Sequence, residues 1–213
     1  MSGPMAPLKL VVEGANDLHV VRSICDLAGV PLGKNSIECQ EYPHIFSVFS
    51  TRVRVGSGEN PVGMLVDADD DVNHRWGEVA SLLRELKVAS VPHEAPANGF
   101  IGTVPSGRRV GVWLTPDNSN AGVIESLFVT LLRPDDADLP LAKQYVDQFT
   151  SGRNWNGFDR LKADVYSWLA VRPNPGRPMG ENISRTDFPG ELSEPARRLA
   201  AWVKALCEPV SAD

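Results

Sequence analysis

The chain has 213 residues, enough for one domain with a real core. It is 42% hydrophobic and 23% charged, and its net charge of −6 excludes a protein that wraps nucleic acid with a general basic surface. Its apolar runs are strand-sized, and no basic segment followed by a long apolar run opens the chain. A cytoplasmic protein that does not cross a membrane is therefore expected.

Residues 8–12 are apolar apart from Lys9 and read as a buried strand running into Glu13-Gly14-Ala15-Asn16-Asp17. Asn16 or Asp17 is placed to cap the next helix, which puts Leu18, Val21, Ile24, Cys25 and Ala28 on one face and ends at Gly29. Residues 37–42 read as a second strand. Ile45, Val48, Phe49 and Val53 keep helical spacing despite their β-branching. A turn is expected over 56–61. Residues 62–66 form another apolar strand, which ends in Asp67-Ala68-Asp69-Asp70-Asp71. A helix over about 73–86 carries Trp76, Val79, Leu82, Leu83 and Leu86.

Residues 100–104 and 110–114 flank a turn containing Pro105, Gly107 and Arg108, the pattern of a hairpin added to the sheet. A Pro116-Asp117-Asn118 loop leads to a helix over about 121–132. Residues 140–150, 156–170 and 195–207 look helical, with Pro- and Gly-rich stretches between them. The expected fold is α/β: a mostly parallel sheet flanked by helices, with a C-terminal helical extension. One domain covers the chain, with its core over about 8–132 and the extension over about 133–213.

Two strands that stop abruptly in carboxylates suggest a site at one sheet edge, where open α/β sheets bind ligands. Gly14 allows a sharp exit from the first strand. Asp17 lies one turn beyond Glu13, so both can face one point. Asp67 and Asp69 share a side if the backbone stays extended. Crowded carboxylates repel unless a cation neutralises them, and Mg²⁺ or Mn²⁺ prefers oxygen ligands. Glu125, one turn into its helix, adds a further carboxylate to the candidate ligands. The plainer alternatives are helix capping for Asp17 and Asp71, a solvated acidic loop for residues 67–71, and a dipole-favoured helix start for Glu125.

The three cysteines, Cys25, Cys39 and Cys207, form no paired motif, and the four histidines carry no metal-binding spacing, so zinc is not expected. No GxSxG, GxGxxG or GxxxxGK[ST] occurs, which removes common hydrolase, dinucleotide and P-loop readings. Core packing accounts for the tryptophans.

The run VEGANDLHVV after the first strand, then DADDD before Arg75-Trp76, Pro116-Asp117-Asn118 and Gly122-Val123-Ile124-Glu125, resembles the Toprim domain. That domain occurs in topoisomerases, DnaG-type primases and OLD-type nucleases. More narrowly, the chain resembles small stand-alone Toprim-like proteins of an uncharacterised family. The resemblance spans about residues 8–130, with weaker similarity over 162–170.

It implies a Mg²⁺- or Mn²⁺-dependent, nuclease-like hydrolase with Glu13, Asp67 and Asp69 as catalytic carboxylates. The implied metal ligands are Glu13, Asp17, Asp67, Asp69, Asp71 and Glu125. The later phosphate-facing lysine of the OLD pattern falls on Lys162, against the plainer reading of an exposed helix lysine. No linked ATPase segment, topoisomerase tyrosine domain or primase zinc domain is recognisable. An ATPase partner protein or a second copy of the chain is the implied companion.

Nucleic acid is the implied substrate. It would be held weakly by the lone chain, with Arg108, Arg109, Arg153, Arg172 and Arg177 as basic candidates. A non-catalytic Toprim-like regulatory module is the main alternative. A glycosyltransferase with a DxD metal site is a lesser one, because it leaves Glu13 and Glu125 without a role.

Overall fold

The computed structural model describes residues 7–55, 60–149, 154–155, 157–173, 175–183 and 191–208. The strands are β1 (Lys9–Val12), β2 (Ile37–Cys39), β3 (Val62–Asp67), β4 (Phe100–Thr103) and β5 (Arg109–Thr115). Their order across the sheet is β2-β1-β3-β5-β4. All neighbours run parallel except β4, which pairs antiparallel with β5 at one edge. The expected hairpin is therefore real, but its second strand lies inside the sheet. Apolar residues on both faces make that placement favourable.

Helix α1 (Ala15–Leu27) connects β1 to β2, and α2 (His44–Arg54) returns from β2 to β3. Helix α3 (Val72–Glu85) follows β3. Side chains alternate along the strands, so two core layers form. Val11, Met64, Val66, Val112 and Leu114 face α2 and α3. Leu10, Val12, Leu65 and Trp113 face the opposite layer with α1. That layer is completed by α4 (Ile124–Val129), α6 (Asp159–Ala170), α7 (Met179–Ile183) and α8 (Glu194–Cys207), while α5 (Asp138–Asp147) packs along α6. The helices of the last third thus share a core layer with the N-terminal strands. Among the described residues, no helix is long and apolar enough to cross a membrane.

Several expectations change in detail. The second strand stops at Cys39 rather than at residue 42, because Tyr42 and Pro43 form a turn that leads into α2. The helix expected over 121–132 shortens to α4. Gly122 exchanges two backbone hydrogen bonds with Asp69, of 2.8 and 2.9 Å, which holds the approach extended. Helix α7 was not expected from the sequence, where its residues fall in the Pro- and Gly-rich stretch between two expected helices. Gly180 lets it lie directly on α1: a Cβ there would come within 2.1 Å of the His19 carbonyl carbon. Most of the turn at 56–61 lies outside the described residues. Gly29 does end α1, in the left-handed region at φ +69°.

Helix α8 closes the sheet over two glycines set side by side, Gly63 on β3 and Gly111 on β5. A Cβ at Gly111 would lie 2.9 Å from both Trp202 and Leu206 of α8. The Trp202 indole N–H donates to the Phe100 carbonyl at 3.0 Å, which fixes the helix at that end. Gly111→Val should lower unfolding stability by ~1–3 kcal/mol through overpacking. Denaturant titration checks the loss.

Candidate functional site at the carboxyl edge of the sheet

The chain leaves β1 to one side to form β2, then crosses back to form β3 on the other side. The reversal opens a crevice between the carboxyl ends of β1 and β3, the usual ligand position in such sheets. Glu13 and Asp67 are the residues that emerge there. The Asp67 backbone N–H donates to Glu13 Oε1 at 2.9 Å, so the two strand ends are tied together. Glu13, Asp17, Asp67, Glu125 and Lys162 line one cleft of about 280 Å³, together with Gly14, Ala15, Asn16 and Ile124.

Each side chain arrives from a different element. Asp17 lies in the first turn of α1 and is buried, and its Oδ1 has no hydrogen-bond partner. It does not cap the helix: Gly14 is the N-cap, with extended backbone and no side-chain bond. Glycine at 14 therefore answers to crowding rather than to a special dihedral, since a Cβ would sit 3.3 Å from Asp17 Oδ2. Glu125 enters on the first turn of α4 and is buried. Lys162 comes from α6 and is half-buried in the cleft.

Burial and mutual repulsion work against ionisation here. Burial, then the Glu13 and Glu125 charges, pushes Asp17 up to about 7. Burial, then Asp17 and Glu13, raises Asp67 well above the carboxylate range, although the Thr115 hydroxyl donates to its Oδ1. Glu13 and Glu125 are raised by burial, and Lys162 opposes the rise in both.

The other two aspartates of the acidic run turn elsewhere. The extended backbone does not continue past β3, because Asp69 has φ +51° and pairs with Gly122. Its carboxylate forms an ion pair with Arg75 instead of lining the cleft. Asp71 caps α3 by accepting the Asn73 and His74 amides at 2.9 and 3.1 Å, as its plainer reading held.

Arg75 has a larger role than the sequence suggested. It is buried, donates to the Asp67 carbonyl at 2.9 Å and to Glu78 at 2.9 Å, and lies 4.3 Å from the Tyr42 ring centroid. It sets the backbone that carries Asp67 and Asp69. An arginine shortly after an acidic strand end was the available signal. Thr115, at the end of β5, and Tyr166, bonded to Asn16, were not singled out either.

The basic candidates are also distributed differently. Arg108 donates to the Arg52 and Val53 carbonyls at 2.7 and 2.8 Å and so caps the end of α2. Arg108 and Arg109 stand where β5 begins, away from the carboxyl edge, because β5 runs parallel to β3. Arg172 pairs with Asp138 and stacks on Trp168, and Arg177 pairs with Glu181. Arg153 lies outside the described residues.

The donor set suits a hard cation: carboxylate oxygens only, with one buried and unpartnered. Among the described residues, no three His, Cys, Asp or Glu side chains already stand so as to hold an ion. The cleft therefore offers donor chemistry and not a finished cage.

The raised Asp17 pKa has a defined sign. Its contribution to stability is fully present below its unfolded pKa near 3.8 and is lost as pH rises through about 7. Asp17→Asn should then stabilise the metal-free protein little at pH 4 and most at pH 8. Paired thermal melts across that range read the difference.

The chain matches a family model described as a protein of unknown function (DUF3226) over residues 7–208, and it belongs to that family. No curated protein and no solved structure matches it.

Proposed function

We propose that this family member is a divalent-cation-dependent phosphotransfer protein, a nuclease-like hydrolase of nucleic-acid phosphodiesters. The observation that carries the reading is the convergence of Glu13, Asp17, Asp67 and Glu125 with Lys162 in one crevice at the strand-order reversal. The Toprim-like order of motifs in the sequence supports it. Glu13, Asp17, Asp67 and Glu125 would hold Mg²⁺ or Mn²⁺. When bound, that ion would supply charge neutralisation at the phosphate and a water made more acidic.

The chain's own residues have separable tasks. Asp67 is fixed by Thr115 at its side chain and by Glu13 at its amide. Glu13 spends one oxygen on that amide, which leaves the other to accept a proton. Lys162 faces the carboxylates from α6, where an ammonium can meet charge that builds on a phosphoryl oxygen. Arg75 holds the Asp67 carbonyl and the Asp69 turn still.

A non-catalytic Toprim-like module is the second reading. The positions of Arg108, Arg109, Arg172 and Arg177 favour it, because they leave little basic grip beside the cleft. A polymer substrate would then rely on a partner ATPase or a second copy. The glycosyltransferase reading loses support, since Asp67 and Asp69 do not present a joint DxD to the cleft.

Isothermal titration with Mn²⁺ tests the ion. Asp67→Asn should abolish binding, while Asp69→Asn should weaken it less, through loss of the Arg75 pair. Equal affinity in wild type and Asp67→Asn would remove the proposal. Lys162→Met should lower phosphodiester turnover by about 10²-fold while Mn²⁺ affinity stays nearly unchanged. Turnover and titration on the same preparation check the separation. Hydrolysis of no phosphodiester by wild type in Mn²⁺, with binding intact, would favour the regulatory module.

A further inference from the structure

Tyr166 is one of four large aromatic side chains exposed among the described residues, with 48% of its surface open to solvent. It does not hang free. The Asn16 amide donates to its hydroxyl at 2.6 Å, and Asn16 itself lines the carboxylate cleft. Lys162 lies four residues earlier on the same helix, hence on the same face one turn away. The ring therefore stands at the rim of the cleft, with its position fixed from the cleft side.

Core packing, the default for a large aromatic, does not account for a half-exposed ring. The hydroxyl explains the tether but not the exposed face. One helical turn is ~5.4 Å along the axis. That is the scale separating the phosphate of a nucleotide from its base.

We propose that Tyr166 is a base-stacking specificity residue, and that the substrate class is single-stranded nucleic acid. The inference rests on the phosphodiester reading of the cleft. Lys162 meets the phosphate, and the tyrosine face receives the adjoining base. A base inside a duplex is already stacked on its neighbours, so only an unpaired nucleotide can make this contact without first being extruded. Stacking on an aromatic face accepts any base, so discrimination falls between strand states and not between sequences. It also supplies grip without cations, which suits a chain whose net charge is −6.

Two phosphodiesters with one leaving group separate the ideas: thymidine 5′-(p-nitrophenyl) phosphate, which carries a base, and methyl p-nitrophenyl phosphate, which does not. In Mn²⁺, Tyr166→Leu should raise KM for the thymidine ester by about tenfold, with kcat little changed. Its KM for the methyl ester should change far less, so the ratio of the two KM values rises. Tyr166→Phe keeps the ring, loses the Asn16 bond, and should fall between the two. A merely structural tyrosine would shift both esters together, and that result, or no shift in either, overturns the inference while leaving the hydrolase reading in place. Wild type inactive on both esters and on oligonucleotides would overturn the reading and the inference with it. Wild type alone provides an independent check. By fluorescence anisotropy at low salt, labelled oligothymidylate should bind more tightly than an abasic strand of equal length or a duplex. Equal affinity for all three overturns the inference whatever the variants do.

Discussion

The site depends on one hydrogen bond between strand ends, from the Asp67 amide to the Glu13 carboxylate. Four buried or half-buried carboxylates would separate if their backbones were free, because each raises the cost of ionising the next. Parallel pairing of β1 with β3 denies them that freedom. The bond adds a specific register, spending one Glu13 oxygen on the neighbouring strand. The crevice geometry is a property of the sheet, and the side chains inherit it.

Around this pair, each supporting contact comes from a different layer. Arg75 reaches from α3 to the Asp67 carbonyl, on the face covered by α2 and α3. Glu125 and Lys162 arrive from α4 and α6 on the other face. Those two helices are locked together by Phe128 against Trp168, at 5.8 Å between centroids. Asn16 and Tyr166 join α1 to α6 at the mouth. The repulsive centre is thus held by apolar packing on both sides of the sheet. Ligand-binding edges tolerate such local strain when the scaffold around them is over-determined.

Much of this was legible in the sequence, for physical reasons that also mark its limits. Strands buried on both faces read as short apolar runs; residues 62–66 did so without interruption, and residues 8–12 did so apart from the exposed Lys9. Adjacent placement then brought Glu13 and Asp67 to one edge. Asp69 was harder to place. A period of two predicts a shared side only while the backbone stays extended, and a left-handed residue ends that rule. The start of α4 was misjudged for a similar reason, since the bonds of Gly122 to Asp69 are non-local. Helix α7 could not be read because its driving force is a close crossing at Gly180, which no periodicity reports. Lys162 was identified through the resemblance; composition alone would have left it a surface lysine. Tyr166 gave no signal, because its importance lies in a bond to a residue 150 positions away.

The glycine pair under α8 has a consequence for the order in which the protein is made. Gly63 and Gly111 leave a shallow strip across β3 and β5 that Trp202 and Leu206 fill, beside Leu10 of β1. A ribosome delivers these strands well before α8, on the order of several seconds earlier at ordinary elongation rates. During that interval the sheet can pair its strands and cover its other face with α2 and α3. The α8 side already carries Leu10, Leu65 and Trp113, but a shallow trough over the two glycines stays open until Trp202 and Leu206 arrive. The nascent chain is therefore asymmetric, half finished on one face and adhesive on the other. The last helix acts as the closing member of the core, and the carboxylates are brought to their edge before the fold beneath them is sealed.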